Sequence, residues 1–100
     1  MSWDGMIVLE TGEIAGNVAA TKMPSKAGKL VNFKAQSGNV GKVYIGITSG
    51  VTAAAGTEDA TTGWELAAGE ETGFLPCGNM SDFYRICDNA GDDLVYVVIG

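Results

Sequence analysis

The chain has 100 residues, of which 46% are hydrophobic, with 15 glycines and only two prolines. That describes one small folded domain rich in turns and excludes a disordered tail, a proline-rich linker or a collagen-like repeat. A net charge of −6 with only six Lys and Arg argues against nucleic acid and anionic membranes as partners, since phosphate contacts need clustered bases.

The first residues, Met1-Ser2-Trp3-Asp4-Gly5, have no basic region followed by a long apolar stretch, so they do not read as a secretory leader. Met6-Ile7-Val8-Leu9 is apolar enough for a strand, whereas residues 12–20 are small and weakly patterned. Residues 1–18 therefore read as an N-terminal arm or edge segment, and residues 19–100 as the body of the domain. Val31, Phe33 and Ala35 alternate with Asn32 and Lys34, which is the period-two signature of a strand with one buried face. After the turn formers Ser37-Gly38-Asn39, the segment 43–48 predicts a second strand with Val43, Ile45 and Ile47 on one face. Gly46 interrupts it where a neighbouring backbone or large side chain is expected to come close.

Trp64 and Leu66 alternate again, followed by the turn Ala68-Gly69-Glu70 and a strand over 72–75. Residues 83–87 and 94–99 supply two more strands, separated by Asp88-Asn89-Ala90-Gly91-Asp92-Asp93, a cluster of turn-forming side chains. No window sustains helical periodicity, and the alanines at 53–55 and 67–68 are too few and too close to glycine to change that. Short strands punctuated every 8–12 residues predict an all-β chain: a small antiparallel β-sandwich, jelly-roll-like. Leu94 to Ile99 is apolar at every position, so this strand is expected to be central and covered, or to contribute to a subunit interface.

The sequence has no histidine. Ser-His-Asp and Cys-His nucleophile systems are thereby removed, together with the usual ligands of zinc, copper and iron. A metal-dependent cupin enzyme on a jelly roll needs those ligands and is excluded with them. Cys77 and Cys87 are too few for a zinc site and are expected to be reduced, largely buried thiols. The 88–93 segment offers oxygen ligands, but Ala90 stands where an EF-hand loop needs one, and turn chemistry explains the residues. Glu58-Asp59 and Glu70-Glu71 are adjacent acids in glycine-rich stretches, not a separated glycosidase pair. Gly41-Lys42 lacks the rest of a phosphate loop, with Gln36 and Val43 at the defining positions. Tyr44, Trp64 and Tyr84 suit core or interface packing, or less simply a sugar-binding face. No catalytic residue, metal site or cofactor is expected.

Charge is distributed unevenly. Lys22, Lys26, Lys29, Lys34 and Lys42 face only three acids in the first fifty residues, while the second fifty hold Arg85 against the other nine. Such asymmetry suits alignment with a partner or with another copy.

Several segments, in order, resemble small β-sandwich structural proteins of tailed bacteriophages. Residues 23–46, with Ser37-Gly38-Asn39-Val40-Gly41-Lys42-Val43-Tyr44-Ile45-Gly46 at their end, look like a hairpin of that family. Thr62-Gly63-Trp64-Glu65-Leu66-Ala67-Ala68-Gly69-Glu70 resembles its Gly–aromatic–x–Leu turn. Asn79-Met80-Ser81-Asp82-Phe83-Tyr84 and Ala90-Gly91-Asp92-Asp93-Leu94-Val95 resemble its last two strands. The resemblance covers residues 20–100 and leaves out residues 1–18 and both cysteines. It implies a non-enzymatic virion component: a head decoration (cement) protein bound to the outer capsid surface, made in the cytoplasm of the host bacterium. The partner implied is the major capsid protein, with self-association as a further possibility. The alternative within the resemblance is a tail-fibre, neck or baseplate module that binds host-surface carbohydrate.

The candidate contact residues on this view are Lys22, Lys26, Lys29, Lys34 and Lys42 together with Val95, Val97 and Ile99 of the last strand. Val97→Asp is expected to abolish folding or docking. Wild-type attachment by that variant would show that the strand is neither buried nor at an interface.

Overall fold

The computed structural model describes residues 5–53 and 62–100. Alternation produces the strands where it was expected. β3 (Leu30–Ala35) buries Val31, Phe33 and Ala35, and β8 (Leu94–Ile99) buries Leu94, Tyr96 and Val98 on the same inner side. The other strands are β1 (Val8–Ile14), β2 (Thr21–Lys22), β4 (Val43–Gly46), β5 (Trp64–Leu66), β6 (Glu71–Pro76) and β7 (Tyr84–Cys87). The described helix is a single 3-10 turn, Met80–Asp82.

All pairings are antiparallel, in two four-stranded sheets of order β1-β8-β3-β6 and β2-β7-β4-β5. The chain changes sheet at every connection except β4 to β5, so the two sheets interleave as a jelly roll. One end of the sandwich gathers the β1–β2, β3–β4, β5–β6 and β7–β8 connections. The other end gathers the three remaining connections and the described chain ends, where Ile7 and Gly100 exchange two backbone hydrogen bonds of 3.0 Å. The core lies between the sheets, with Phe33 and Phe83 edge to face at 5.6 Å and Leu66, Met80, Val43 and Leu94 closed off around them.

Ile47 departs from its expected place. The strand stops at Gly46, and Ile47 is 76% exposed. The reason is Val51, which folds back over Gly46: a Cβ there would lie 2.6 Å from the valine. Val51 is buried against Gly46 and Gly63 on the outer face of the second sheet, and Tyr44 lies beside Gly63 there. Thr52 and Thr62 close the neck of this excursion, each hydroxyl accepting the other's backbone N–H at 3.1 Å.

The four-connection end is organised by one carboxylate. Asp92 is 1% exposed. Its Oδ1 accepts the N–H groups of Val40 and Gly41 at 3.0 Å, and its Oδ2 accepts both the backbone and side-chain N–H of Asn89 at 3.0 Å. Gly41 permits the approach, because a Cβ at that position would lie 2.7 Å from Oδ2. The neighbouring Asp93 accepts from Gly16 N at 2.9 Å, and the Asn39 side chain brackets its peptide, donating to Asp93 O and accepting from Asp93 N. Asp88 accepts from Lys42 N at 2.8 Å. These carboxylates of the 88–93 turn are therefore engaged by backbone donors.

Burial works to raise the Asp92 pKa, but the donors from Gly41, Asn89 and Val40 outweigh it and hold the group below the ordinary 3.8. A carboxylate lowered in the folded state contributes stability that is complete above its unfolded value and is lost as pH falls through the folded one. Unfolding midpoints should accordingly decline below about pH 4. Asp92→Ala, which orphans four donors, should cost ~3 kcal/mol at neutral pH and flatten the acid limb. Denaturant titrations at pH 7 and pH 3 check both.

Candidate docking surface

β8 is a central strand. Its inner side chains pack in the core, while Val95 and Val97 point outward and keep part of their surface in water; Ile99, at the end of the strand, is 7% exposed. Register fixes their neighbours. Val95 sits between Glu13 on β1 and Lys34 on β3, and Val97 between Thr11 and Asn32. Phe74, 37% exposed, lies beyond Asn32 on β6. Ile99 lies between Val8 and the buried Leu30.

The five lysines do not form one surface. Lys34 stands exposed in the middle of the β1-β8-β3-β6 sheet. Lys22 is on β2 at the edge of the opposite sheet, and Lys42 reaches Glu65 at 2.5 Å, which raises its pKa through that hydrogen bond. Lys26 pairs with Glu10 at 2.9 Å. Lys29 is exposed beside the last strand, its N–H donating to Ile99 O at 2.8 Å. Lys26 and Lys29 share the β2–β3 connection, at the end that holds the described termini. Spacing along the chain carried no information about this, because the five residues fall on two sheets and two connections.

That same end displays an apolar segment. Ile7, Val8 and Leu9 are 65%, 59% and 49% exposed. Val8 and Leu9 open the edge strand β1, with Ile7 just before it, and a register shift between Val8 and Glu10 breaks the alternation. Glu10 returns to the inner side and takes hydrogen bonds from Tyr96 and Lys26. Both lower its pKa, the tyrosine more, and the same bond pushes Tyr96 up to about 12. Tyr96 fits there because position 12 is glycine: a Cβ would come within 2.7 Å of its hydroxyl.

Of the aromatic residues, Tyr44 is buried, Tyr84 is partly buried, and Trp64 is 54% exposed at the β5 edge. Arg85, unexpectedly for a strand residue of its charge, faces inward at 8% exposure. It donates to the carbonyls of Ala15 and Lys22 at 3.0 Å and anchors the β1–β2 connection. Both cysteines are free thiols, and burial pushes each pKa up, which leaves them poor nucleophiles near neutral pH. Glu70 and Glu71 lie at the β5–β6 turn, where Glu70 accepts Ala67 N at 2.7 Å. Glu58-Asp59 and the alanines at 54–55 lie outside the described residues. Among the described residues, no group of three or more Cys, Asp or Glu is arranged to hold a metal ion.

The fold thus defines a small jelly-roll β-sandwich with an aliphatic edge segment and a mixed apolar and charged sheet face. No protein-family model matches the chain, and neither a curated protein nor a solved structure matches it significantly.

Gly12→Ala should force Tyr96 off Glu10, costing about 1–3 kcal/mol as overpacking in a tight site does. Phenolate absorbance during alkaline titration then reads the bond directly. One of the three tyrosines should titrate near 12 in the wild type and nearer the ordinary 10.0 in the variant. Because the folded value is the higher one, the stabilisation is full below pH 10 and is lost as pH rises through about 12.

Proposed function

We propose that this chain is a virion structural protein of a tailed bacteriophage, a head decoration protein that docks on the outer capsid surface and stabilises the shell. The observation that carries docking is the run of three exposed aliphatic side chains at residues 7–9 beside Lys26 and Lys29. Contiguous apolar surface on a small soluble domain marks an interaction site. Lys29 at the same end, with Lys26 already paired to Glu10, favours a partner patch that is apolar with an acidic rim. The resemblance over residues 20–100 supplies the partner, the major capsid protein.

The action is mechanical. A compact sandwich bridges neighbouring capsid subunits, and many weakly held copies together resist expansion of the shell. Nothing in this role requires a reactive side chain. A module of the tail, neck or fibre that binds host carbohydrate is the second reading, and the exposed Trp64 favours it, since an indole face suits a sugar ring.

Copy number per purified particle, measured by quantitative mass spectrometry against the major capsid protein, decides between them. The decoration reading expects a number of the same order as the capsid protein's, falling sharply for Ile7→Asp in a chain that melts like the wild type. A handful of copies per particle, or none, overturns it.

A further inference from the structure

We propose that two copies of this chain pair face to face through the outer side of β1, β8 and β3, about a two-fold axis running along β8. The proposal stands on the order of side chains across that face and does not depend on the capsid reading.

Two rows cross the sheet at right angles to the strands. Over β1, β8 and β3 one reads Glu13–Val95–Lys34 and the other Thr11–Val97–Asn32; on β6 they continue into Glu71 and Phe74, which lie beyond the three strands that pair. With strands ~4.8 Å apart, Glu13 and Lys34 stand roughly equal distances on opposite sides of Val95. Rotation by 180° about β8 exchanges the β1 side with the β3 side and turns the face onto itself. Val95 then meets Val95, and Val97 meets Val97. Each Glu13 meets the other copy's Lys34, and each Thr11 meets the other copy's Asn32. An acid and a base placed symmetrically about an apolar strand form a self-complementary surface, as an isologous interface requires. Stacking at the ~10 Å separation of packed sheets, with their usual small crossing angle, keeps the residues nearest the axis in register.

Three further observations fit. Lys34 has no carboxylate within salt-bridge distance among the described residues, in contrast to Lys26 and Lys42. Glu13 is held in place by the Gln36 amide at 2.5 Å, so the acid is positioned before the partner arrives. The opposite sheet carries Val51 over its outer side, whereas the outward valines of β8 remain partly in water. Pairing would remove them from it. The aliphatic segment at residues 7–9 lies at the far end of β1 and stays available to a different partner.

Sedimentation velocity from low to several hundred micromolar tests the proposal. The wild type should show a monomer–dimer equilibrium. Lys34→Glu and Glu13→Lys each turn both symmetric contacts from attraction to repulsion, and each should weaken the dimer by about tenfold or more. The double variant Glu13→Lys/Lys34→Glu restores opposite charges across the axis and should recover the dimer. Thermal melts accompany each variant, because Lys34→Glu also places a second acid opposite Glu71 on β6; Glu13→Lys has no such neighbour and serves as the independent reading. A wild type that stays monomeric throughout, a trimer or larger assembly, a dimer indifferent to both reversals, or a double variant that fails to recover each overturns the pairing.

Discussion

The Asp92 carboxylate is the constraint on which the rest of the sandwich depends. A jelly roll passes the chain from sheet to sheet at almost every connection, and each passage leaves backbone N–H groups with no strand to pair with. At the four-connection end, one ionised group answers three such donors and the Asn89 side-chain amide, from two connections about fifty residues apart in sequence. Its desolvation cost is offset because every bond to it is charge-assisted. Removing the carboxylate would leave buried donors behind, which is worse than never having placed a polar group there. The Asp93 and Asn39 contacts extend this lattice to the β1–β2 connection.

The opposite end is joined by a side-chain amide. Asn79 caps the 3-10 turn by accepting Ser81 N at 2.9 Å and also accepts Lys26 N at 2.9 Å, while its amide donates to Ser25. One asparagine therefore joins the β2–β3 and β6–β7 connections, with Asp82 closing the reciprocal half of the cap. The surface outside this frame is left to the sheet faces and the β1 edge, where the apolar and charged side chains that suit partners are found.

The sequence disclosed elements where burial alternates and concealed those where it does not. β3 is legible because Val31, Phe33 and Ala35 recur at every second position, and β8 because Leu94 to Ile99 is an unbroken apolar run after a cluster of turn formers. The close approach at Gly46 was also legible, since a glycine inside a strand pattern needs a neighbour. β2 consists of two residues, Thr21 and Lys22, too short for any period to show. Ile47 has the right parity for β4 but lies past the point where Val51 folds back, a tertiary contact that alternation does not encode. The 88–93 cluster reads correctly as a turn, yet its partners at Val40 and Gly41 are invisible until the two connections are brought together. For the docking surface, Val95 and Val97 stand out in sequence as unneeded apolar residues. The lysines mislead, because residues close along the chain fall on different sheets and connections. Glu13 carries no sign of its place in sequence, as its position opposite Lys34 across Val95 is a matter of register.

The reach of Asp92 between two connections has an evolutionary consequence. A single residue added to the 37–41 or the 88–93 connection would pull the carboxylate away from its donors at Val40, Gly41 and Asn89. The lengths of the two connections are thereby tied to one another. Val40 contributes only its backbone N–H, so its side chain is free to change, whereas position 41 must stay glycine for the carboxylate to approach. Descendants of this sequence should therefore vary in residue type along these two turns while keeping both turn lengths fixed.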